Sequence, residues 1–242
     1  MQRCIMVLKQ IFFSFSLTSL KLNKFTLFNR LWGFNHFLKA NLICSVFIFA
    51  CLSASSANAA SPVILVYGDS LSAAYGIRQE QGWVALLKER VQQEKMNYSV
   101  VNASISGETT SGGLSRIEKV LKEHQPKLIL IELGANDGLR GLPITAMRNN
   151  LEAMITKSLK YKVKVILVGM RIPPNYGIKY TRDFKEAYAI LANQYKLPLV
   201  PFLLNGVAGN HELNQEDGLH PLAKAEPTIL NNVWDAVEGA IK

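Results

Sequence analysis

Short apolar runs alternate with amphipathic stretches from residue 62 to the end of the chain. The apolar runs are rich in Val, Ile and Leu, the composition expected of strands that are buried on both faces of a parallel sheet. They are bounded by Gly, Asn, Pro or charged residues, which end regular structure. The pattern predicts five strands, at residues 63–67, 98–102, 127–133, 163–169 and 199–202.

The segment after each predicted strand carries apolar residues at the three- and four-residue spacing of an amphipathic helix. The five sets are Trp83, Leu86, Leu87 and Val91; Leu114, Ile117 and Leu121; Met147, Leu151, Met154 and Ile155; Phe184, Ala187, Tyr188, Leu191 and Tyr195; and Ile229, Val233, Trp234 and Val237. Pro227 fits the first turn of the last helix. This alternation predicts an α/β fold: a doubly wound, five-stranded parallel sheet with helices on both faces, forming three α/β/α layers.

Residues 1–59 differ from the rest of the chain in composition. They hold six basic residues and no Asp or Glu, and an apolar core at 41–52 leads to Ala57-Asn58-Ala59. This order is typical of a secretory signal peptide cleaved after Ala59. The part before the apolar core is longer than a whole signal of about 15 to 30 residues, so we expect the natural start near Leu31. Residues 60–242 then form a single exported domain.

The composition of residues 60–242 excludes several kinds of site. All three cysteines of the chain precede this domain, so it has no thiol nucleophile, disulfide or Cys metal site. Its histidines, His124, His211 and His220, are not paired at a metal-ligand spacing, which argues against zinc. His124 fits a helix C-terminus and His211 a solvated loop. The near-neutral charge, without basic runs, argues against nucleic-acid binding.

Polar, glycine-rich segments follow the predicted strands, where an open parallel sheet binds its ligands. Ser70 in "GDS" follows the first strand, Gly107 in "NASISGETTSGG" the second, and Asn136 in "GANDG" the third. Asp217 and His220 lie near the end of the chain in "DGLHP". Because the carboxyl ends of parallel strands meet at one edge of the sheet, we expect these five residues to converge there.

These residue types fit acyl transfer. A serine hydroxyl such as that of Ser70 becomes a good nucleophile when a base removes its proton, and His220 can serve as this base. A carboxylate on the other ring nitrogen fixes the tautomer, and Asp217 is three residues away. The N–H groups of Ser70 and Gly107 and the side-chain amide of Asn136 can donate to an oxyanion.

Other polar residues near these blocks have structural interpretations. We expect Asp69 and Asp137 to brace their own turns. Asn102 and Glu108 either support the site or have ordinary turn roles. The stretch 171–180, with two prolines and two tyrosines, forms either one wall of an acyl pocket or only a connector.

Four blocks of the chain resemble, in order and spacing, those of the GDSL or SGNH hydrolases: "GDSLSAAYG", "NASISGETTSGGL", "ELGANDGLRG" and "DGLHP". Within that family the likeness is to the periplasmic multifunctional acyl thioesterases, lysophospholipases and arylesterases of Gram-negative bacteria. The resemblance implies the flavodoxin-like SGNH hydrolase fold. It also implies that Ser70 is the nucleophile of a triad with Asp217 and His220, and that Ser70, Gly107 and Asn136 form the oxyanion hole.

The function implied by the resemblance is that of a periplasmic serine esterase or thioesterase. Such an enzyme hydrolyses aryl esters, lysophospholipids or acyl thioesters through an acyl-enzyme, without a cofactor or metal. Its partner is a small-molecule acyl ester or lipid, with at most transient membrane contact and no nucleic acid; the oligomeric state stays open. The alternatives are a carbohydrate acetyl esterase and a catalytically idle, lipid-binding envelope protein.

Overall fold

The computed structural model describes residues 61–242, so the predicted signal peptide and its cleavage site lie outside the described residues. Each of the five predicted strands is present, with ends within two residues of the prediction. The strands are β1 (Val63–Gly68), β2 (Ser99–Asn102), β3 (Leu128–Glu132), β4 (Lys164–Val168) and β5 (Leu199–Val200). β5 ends two residues early because Pro201 has no N–H with which to extend a ladder.

The strands form one parallel sheet in the order β2-β1-β3-β4-β5. Leu65 at the centre of β1 pairs with Val101 on one side and with Ile129 on the other. This is the flavodoxin-like order, in which the direction of strand addition reverses between β1 and β3. A crevice opens at the carboxyl ends of these two strands, and the residues that follow them are placed at its walls.

The predicted burial of every strand on both faces is wrong for β2. This strand lies at the edge of the sheet; Ser99 and Asn102 are exposed, and Val100 and Val101 are half-buried. β3, in contrast, lies in the middle of the sheet and is buried along its whole length. Apolar composition therefore identified the strand but not its position in the sheet.

Six α-helices follow in residues 61–242: α1 (Trp83–Gln93), α2 (Thr110–His124), α3 (Ala135–Leu139), α4 (Ile144–Lys160), α5 (Ile178–Tyr195) and α6 (Glu226–Ile241). All except α3 were predicted; α3 is too short to show an amphipathic period. α1 packs against α6, whereas α4 packs against α2 and α5, so that two helix groups cover the sheet. None of these helices is both long and apolar enough to cross a bilayer.

The hydrophobic core lies between the sheet and these helices. Trp83 of α1 and Val237 of α6 are fully buried. In α5, Phe184 and Tyr188 are buried with their rings edge to face, 5.6 Å between centroids. Burial of a large apolar side chain contributes about 1.5–3 kcal/mol, so the two layers together hold the strand ends in fixed positions.

A buried carboxyl joins α1 to α6. Glu226, the first residue of α6, is 1% exposed, and its Oε2 accepts a hydrogen bond of 2.7 Å from the backbone N–H of Trp83. Burial raises the pKa of Glu226 from 4.5 to about 7, although the Trp83 hydrogen bond lowers it. The folded protein therefore keeps this proton at pH values where the unfolded chain has lost it.

We predict that Glu226→Gln flattens the pH dependence of stability. Because the folded pKa is raised, the folded state binds more protons than the unfolded state between pH 4.5 and about 7, and stability falls as the pH rises through this window. Glutamine keeps an acceptor for the Trp83 N–H but does not titrate. In urea unfolding, the wild type should lose about 1–3 kcal/mol more than the variant between pH 5 and pH 8. Equal losses in the wild type and the variant would contradict the raised pKa of Glu226 in the folded state. The control is Glu80→Gln, which changes an exposed glutamate in the same way.

Candidate active site

Ser70 lies in the turn that leaves β1 at the carboxyl edge of the sheet. Asp69, which precedes it, is buried, and its Oδ1 accepts a hydrogen bond of 3.1 Å from the N–H of Leu71, the bracing expected of this residue. From the end of β2, Nδ2 of Asn102 donates to the carbonyl of Ser72 at 2.7 Å. The turn is thus held from both sides, which fixes the Ser70 hydroxyl at the surface of the crevice.

Asp217 and His220 lie in a tight turn that precedes α6. Oδ1 of Asp217 accepts from the N–H groups of Leu219 (2.9 Å) and His220 (3.0 Å), and its Oδ2 lies 2.6 Å from His220 Nδ1. His220 Nε2 lies 2.9 Å from Ser70 Oγ, across 150 positions of sequence. The Ser70 hydroxyl, the His220 imidazole and the Asp217 carboxylate are therefore joined by a continuous chain of hydrogen bonds, although they come from opposite ends of the domain.

The charges in this chain of hydrogen bonds favour proton transfer from the Ser70 hydroxyl to the His220 ring. Burial raises the pKa of Asp217, but hydrogen bonds from the N–H and ring of His220 and from the N–H of Leu219 outweigh it and lower the pKa to about 2. The carboxyl is therefore ionised at neutral pH. A carboxylate at Nδ1 places the ring hydrogen there and leaves Nε2 as an acceptor for the Ser70 proton. Tyr75 packs on the His220 ring, with 4.5 Å between centroids.

Gly107 lies in the loop after β2, and Asn136 is the second residue of α3. Nδ2 of Asn136 donates to Asp69 Oδ2 (3.1 Å) and to the carbonyl of Glu108 (3.0 Å), the residue after Gly107. Gly107 has a φ of +77°, in the left-handed region that favours glycine. Within residues 61–242 the N–H groups of Ser70 and Gly107 have no acceptor. Two of the three predicted donors are therefore free, and the third is shared with the protein.

Glu132, at the end of β3, lies beneath the turn that carries Ser70 and was not singled out from the sequence. It is fully buried, and its Oε2 accepts from the hydroxyl of Ser72 (2.7 Å) and the N–H of Asp69 (3.3 Å). Burial, and then the charge of Asp69, raise the pKa of Glu132 well above its usual value. This shift favours the protonated, uncharged form of Glu132. A charged residue in the apolar run "LILIEL" was the signal that could have found it.

Two further carboxyl groups fix the loops around the site. Asp137 of α3 is buried and accepts from the N–H (2.8 Å) and the hydroxyl (2.6 Å) of Thr110. It therefore ties α3 to the start of α2, whereas the sequence predicted that it braces its own turn. Glu108 forms an ion pair with Arg116 of α2. Of the two residues left open, Asn102 contacts the turn that carries Ser70, whereas the Glu108 side chain holds its own loop.

A cavity of about 150 Å³ is lined in part by Ser70 and His220. Its other lining residues are mostly apolar: Asp69, Leu71, Ala135, Asn136, Leu139, Met170, Arg171, Ile172, Pro173, Leu204 and Leu219. The first part of the stretch 171–180 therefore forms one wall, whereas Ile178 to Tyr180 are the first turn of α5 instead of a loop. Within residues 61–242 no three His, Cys, Asp or Glu side chains are grouped as metal ligands.

Comparison with known proteins identifies the family. The sequence model of the GDSL-like lipase/acylhydrolase family matches residues 66–225, which include every residue of this site. The chain belongs to this family. Membership in the GDSL-like family places it among hydrolases of acyl esters and confirms the resemblance stated from the four sequence blocks.

Three relatives align over most of this chain and of their own. Esterase TesA of Pseudomonas aeruginosa is 48% identical, over 74% of this chain and 90% of its own. The arylesterase of Vibrio mimicus is 43% identical, over 79% and 94%. Thioesterase 1/protease 1/lysophospholipase L1 of Escherichia coli K12 is 39% identical, over 72% and 82%.

A solved structure confirms the fold class. The crystal structure of TesA superposes with a TM-score of 0.72 at 47% identity, covering 74% of this chain and 99% of that chain. The described domain thus has the predicted α/β architecture of the GDSL-like hydrolases.

We predict that the turn that carries Ser70 tolerates Glu132→Gln but not Glu132→Ala. A neutral Glu132 and a glutamine have the same shape, and both can accept from Ser72 and Asp69, so the free energy of unfolding at pH 7 should change by less than about 1 kcal/mol. Alanine leaves two buried donors without an acceptor and should cost roughly 2–4 kcal/mol. Urea unfolding measures both, and a glutamine variant as unstable as the alanine variant would show that Glu132 is ionised.

Proposed function

We propose that this protein is an exported serine hydrolase that cleaves acyl esters through an acyl-enzyme. The observation that carries the proposal is the continuous contact from Ser70 Oγ to His220 Nε2 (2.9 Å) and from His220 Nδ1 to Asp217 Oδ2 (2.6 Å). Nucleophile, base and orienting carboxylate are the three groups that nucleophilic acyl transfer needs, and here they lie within hydrogen-bond reach in the required order.

The first half of the reaction acylates Ser70. Its Oγ attacks the substrate carbonyl carbon, and the hydroxyl proton passes to His220 Nε2. The Asp217 carboxylate stabilises the imidazolium that results. When the tetrahedral intermediate collapses, the bond to the leaving group breaks and His220 gives its proton to the departing alcohol or thiol. The acyl group remains as an ester on Ser70.

The second half regenerates the enzyme. Water attacks the acyl-enzyme carbonyl while His220 takes a water proton, and the collapse of the second intermediate returns that proton to Ser70 Oγ and releases the acid. In both halves we assign the oxyanion to the N–H groups of Ser70 and Gly107 and to the amide of Asn136. The Asn136 amide would share one of its present hydrogen bonds, to Asp69 or to the Glu108 carbonyl, with the oxyanion.

The apolar lining of the cavity supports an acyl chain as the part of the substrate that is recognised. Met170, Ile172 and Leu204 offer hydrophobic contact and few hydrogen-bonding groups beside the nucleophile. Relatives named for esterase, arylesterase, thioesterase and lysophospholipase activity support aryl esters, acyl thioesters and lysophospholipids as substrate classes. The basic, apolar and small-residue order of residues 1–59 supports cleavage after Ala59 and a periplasmic location for the single domain at 60–242.

We predict that Ser70→Ala removes hydrolysis of p-nitrophenyl butyrate. Loss of a triad nucleophile elsewhere lowers turnover on the order of a millionfold, and the same loss is expected here. The matched control is Ser115→Ala, which removes an exposed hydroxyl that bonds only to the carbonyl of Gly112 on α2. Stopped-flow and endpoint assays measure the rates. Turnover by Ser70→Ala equal to that of the control would end the assignment.

The apolar cavity also predicts a chain-length preference. Each methylene that enters it should add up to about 0.8 kcal/mol of binding, so kcat/KM for p-nitrophenyl esters should rise from acetate to a medium chain. Once a cavity of about 150 Å³ is filled, longer chains should give no further gain. Initial rates across a series from acetate to palmitate test this. A sharp optimum at acetate, with release of acetate from acetylated glycans, would instead favour a carbohydrate acetyl esterase.

A further inference from the structure

Gln215 connects the loop that carries Ser70 to the turn that carries His220. Its side-chain Nε2 donates to the carbonyl of Tyr75 at 2.8 Å and to the carbonyl of Pro221 at 3.0 Å. Its backbone N–H donates to the carbonyl of His220 at 2.7 Å. One amide side chain thus bonds to the segment just after the nucleophile and to the residue next to the imidazole.

The loop after β1 is shaped to admit this side chain. Gly76 has a φ of +76°, and a Cβ at this position would overlap the Gln215 side-chain amide. Apart from the contact between Ser70 and His220, the Gln215 to Tyr75 bond is the hydrogen bond that joins residues 70–76 to residues 213–222. The two segments are thus joined by a second hydrogen bond, in addition to the packing of the Tyr75 ring on the His220 ring.

The His220 turn needs such an anchor because most of it is at the surface. Residues 216–219, which include Asp217, are exposed, and the Asp217 hydrogen bonds act only within the turn. They orient the ring of His220, while the base of the turn is held by the pairing of Asn214 with Pro221 and by the Asn214 side chain, which donates to the carbonyls of Val207 and Asn210. A misplacement of about 1 Å between reacting groups can cost a hundredfold in rate, so contacts that join the Ser70 loop to the His220 turn bear directly on activity.

We propose that Gln215 is a positioning residue that sets the distance between His220 Nε2 and Ser70 Oγ through the carbonyls of Tyr75 and Pro221. The inference rests on the proposed function. It does not place Gln215 in contact with substrate; the side chain acts on the reaction through the relative position of the two loops.

The direct test replaces the donors of this amide. Gln215→Glu keeps the shape of the side chain but places a carboxylate against the carbonyls of Tyr75 and Pro221. Gln215→Ala removes the contact altogether. The control is Gln194→Ala, which removes an exposed amide that bonds to Glu152. For p-nitrophenyl butyrate, kcat of both Gln215 variants should fall about ten- to hundredfold. KM should stay within about twofold, since ground-state binding is unaffected. The control should match the wild type in both constants.

A second variant displaces Gln215 without changing it. Gly76→Ala should push the Gln215 amide away and lower kcat as Gln215→Ala does. The double variant, with both Gly76→Ala and Gln215→Ala, should be no slower than either single variant because both changes remove the same contact. Gly209→Ala is the matched control, since Gly209 has a φ of +78° and open space around a Cβ. It should lower the melting temperature by backbone strain alone and leave kcat unchanged.

The outcomes separate this inference from the proposed function. Wild-type kcat in both Gln215 variants would overturn the inference, as would a loss of activity that only follows the fraction of unfolded protein. A full effect of Gly76→Ala in the Gln215→Ala background would overturn it too. An inactive Ser70→Ala beside fully active Gln215 variants would leave the proposed function standing and remove only the role of Gln215. An active Ser70→Ala would remove the proposed function itself.

Discussion

A hydrogen bond between Ser70 and His220, 150 positions apart, depends on bringing both ends of the domain to the carboxyl edge of one sheet. The parallel strands achieve this, because every loop that leaves a strand emerges at that edge. Reversal of strand order between β1 and β3 then opens the crevice at whose edge the Ser70 hydroxyl lies. The core and the helix layers hold the strand ends, and through them the distance of 2.9 Å.

Carboxyl groups with different environments have different tasks around this bond. Asp217, near solvent and hydrogen-bonded by three N–H groups, has a lowered pKa and stays charged opposite the imidazole. Glu132, fully buried beneath the turn, has a raised pKa and accepts hydrogen bonds from Ser72 and Asp69. The Asp217 carboxylate thus provides a negative charge next to the His220 ring. Glu132 provides a hydrogen-bond acceptor in a place where a buried negative charge would be costly.

The alternation of apolar runs and amphipathic stretches was enough to predict five strands, five of the six helices and the layer arrangement, because each signal is local. The polar residues that follow the strands could be assembled into a site because topology places them together. The edge position of β2, the short α3 and the contact of Gln215 with Tyr75 depend on tertiary packing and have no local pattern. Glu132 had a signal, a lone charge in an apolar strand, whose meaning depended on the turn packed above it.

The account stands on activation of Ser70 by His220, and covalent labelling measures it most directly. After treatment of the folded protein with a fluorophosphonate, peptide mass mapping should find one adduct, on the peptide that contains Ser70. His220→Ala should abolish that adduct while the protein remains folded by circular dichroism, since the hydroxyl then has no base. An adduct on a different serine, or labelling of Ser70 that is unchanged in His220→Ala, would contradict the account.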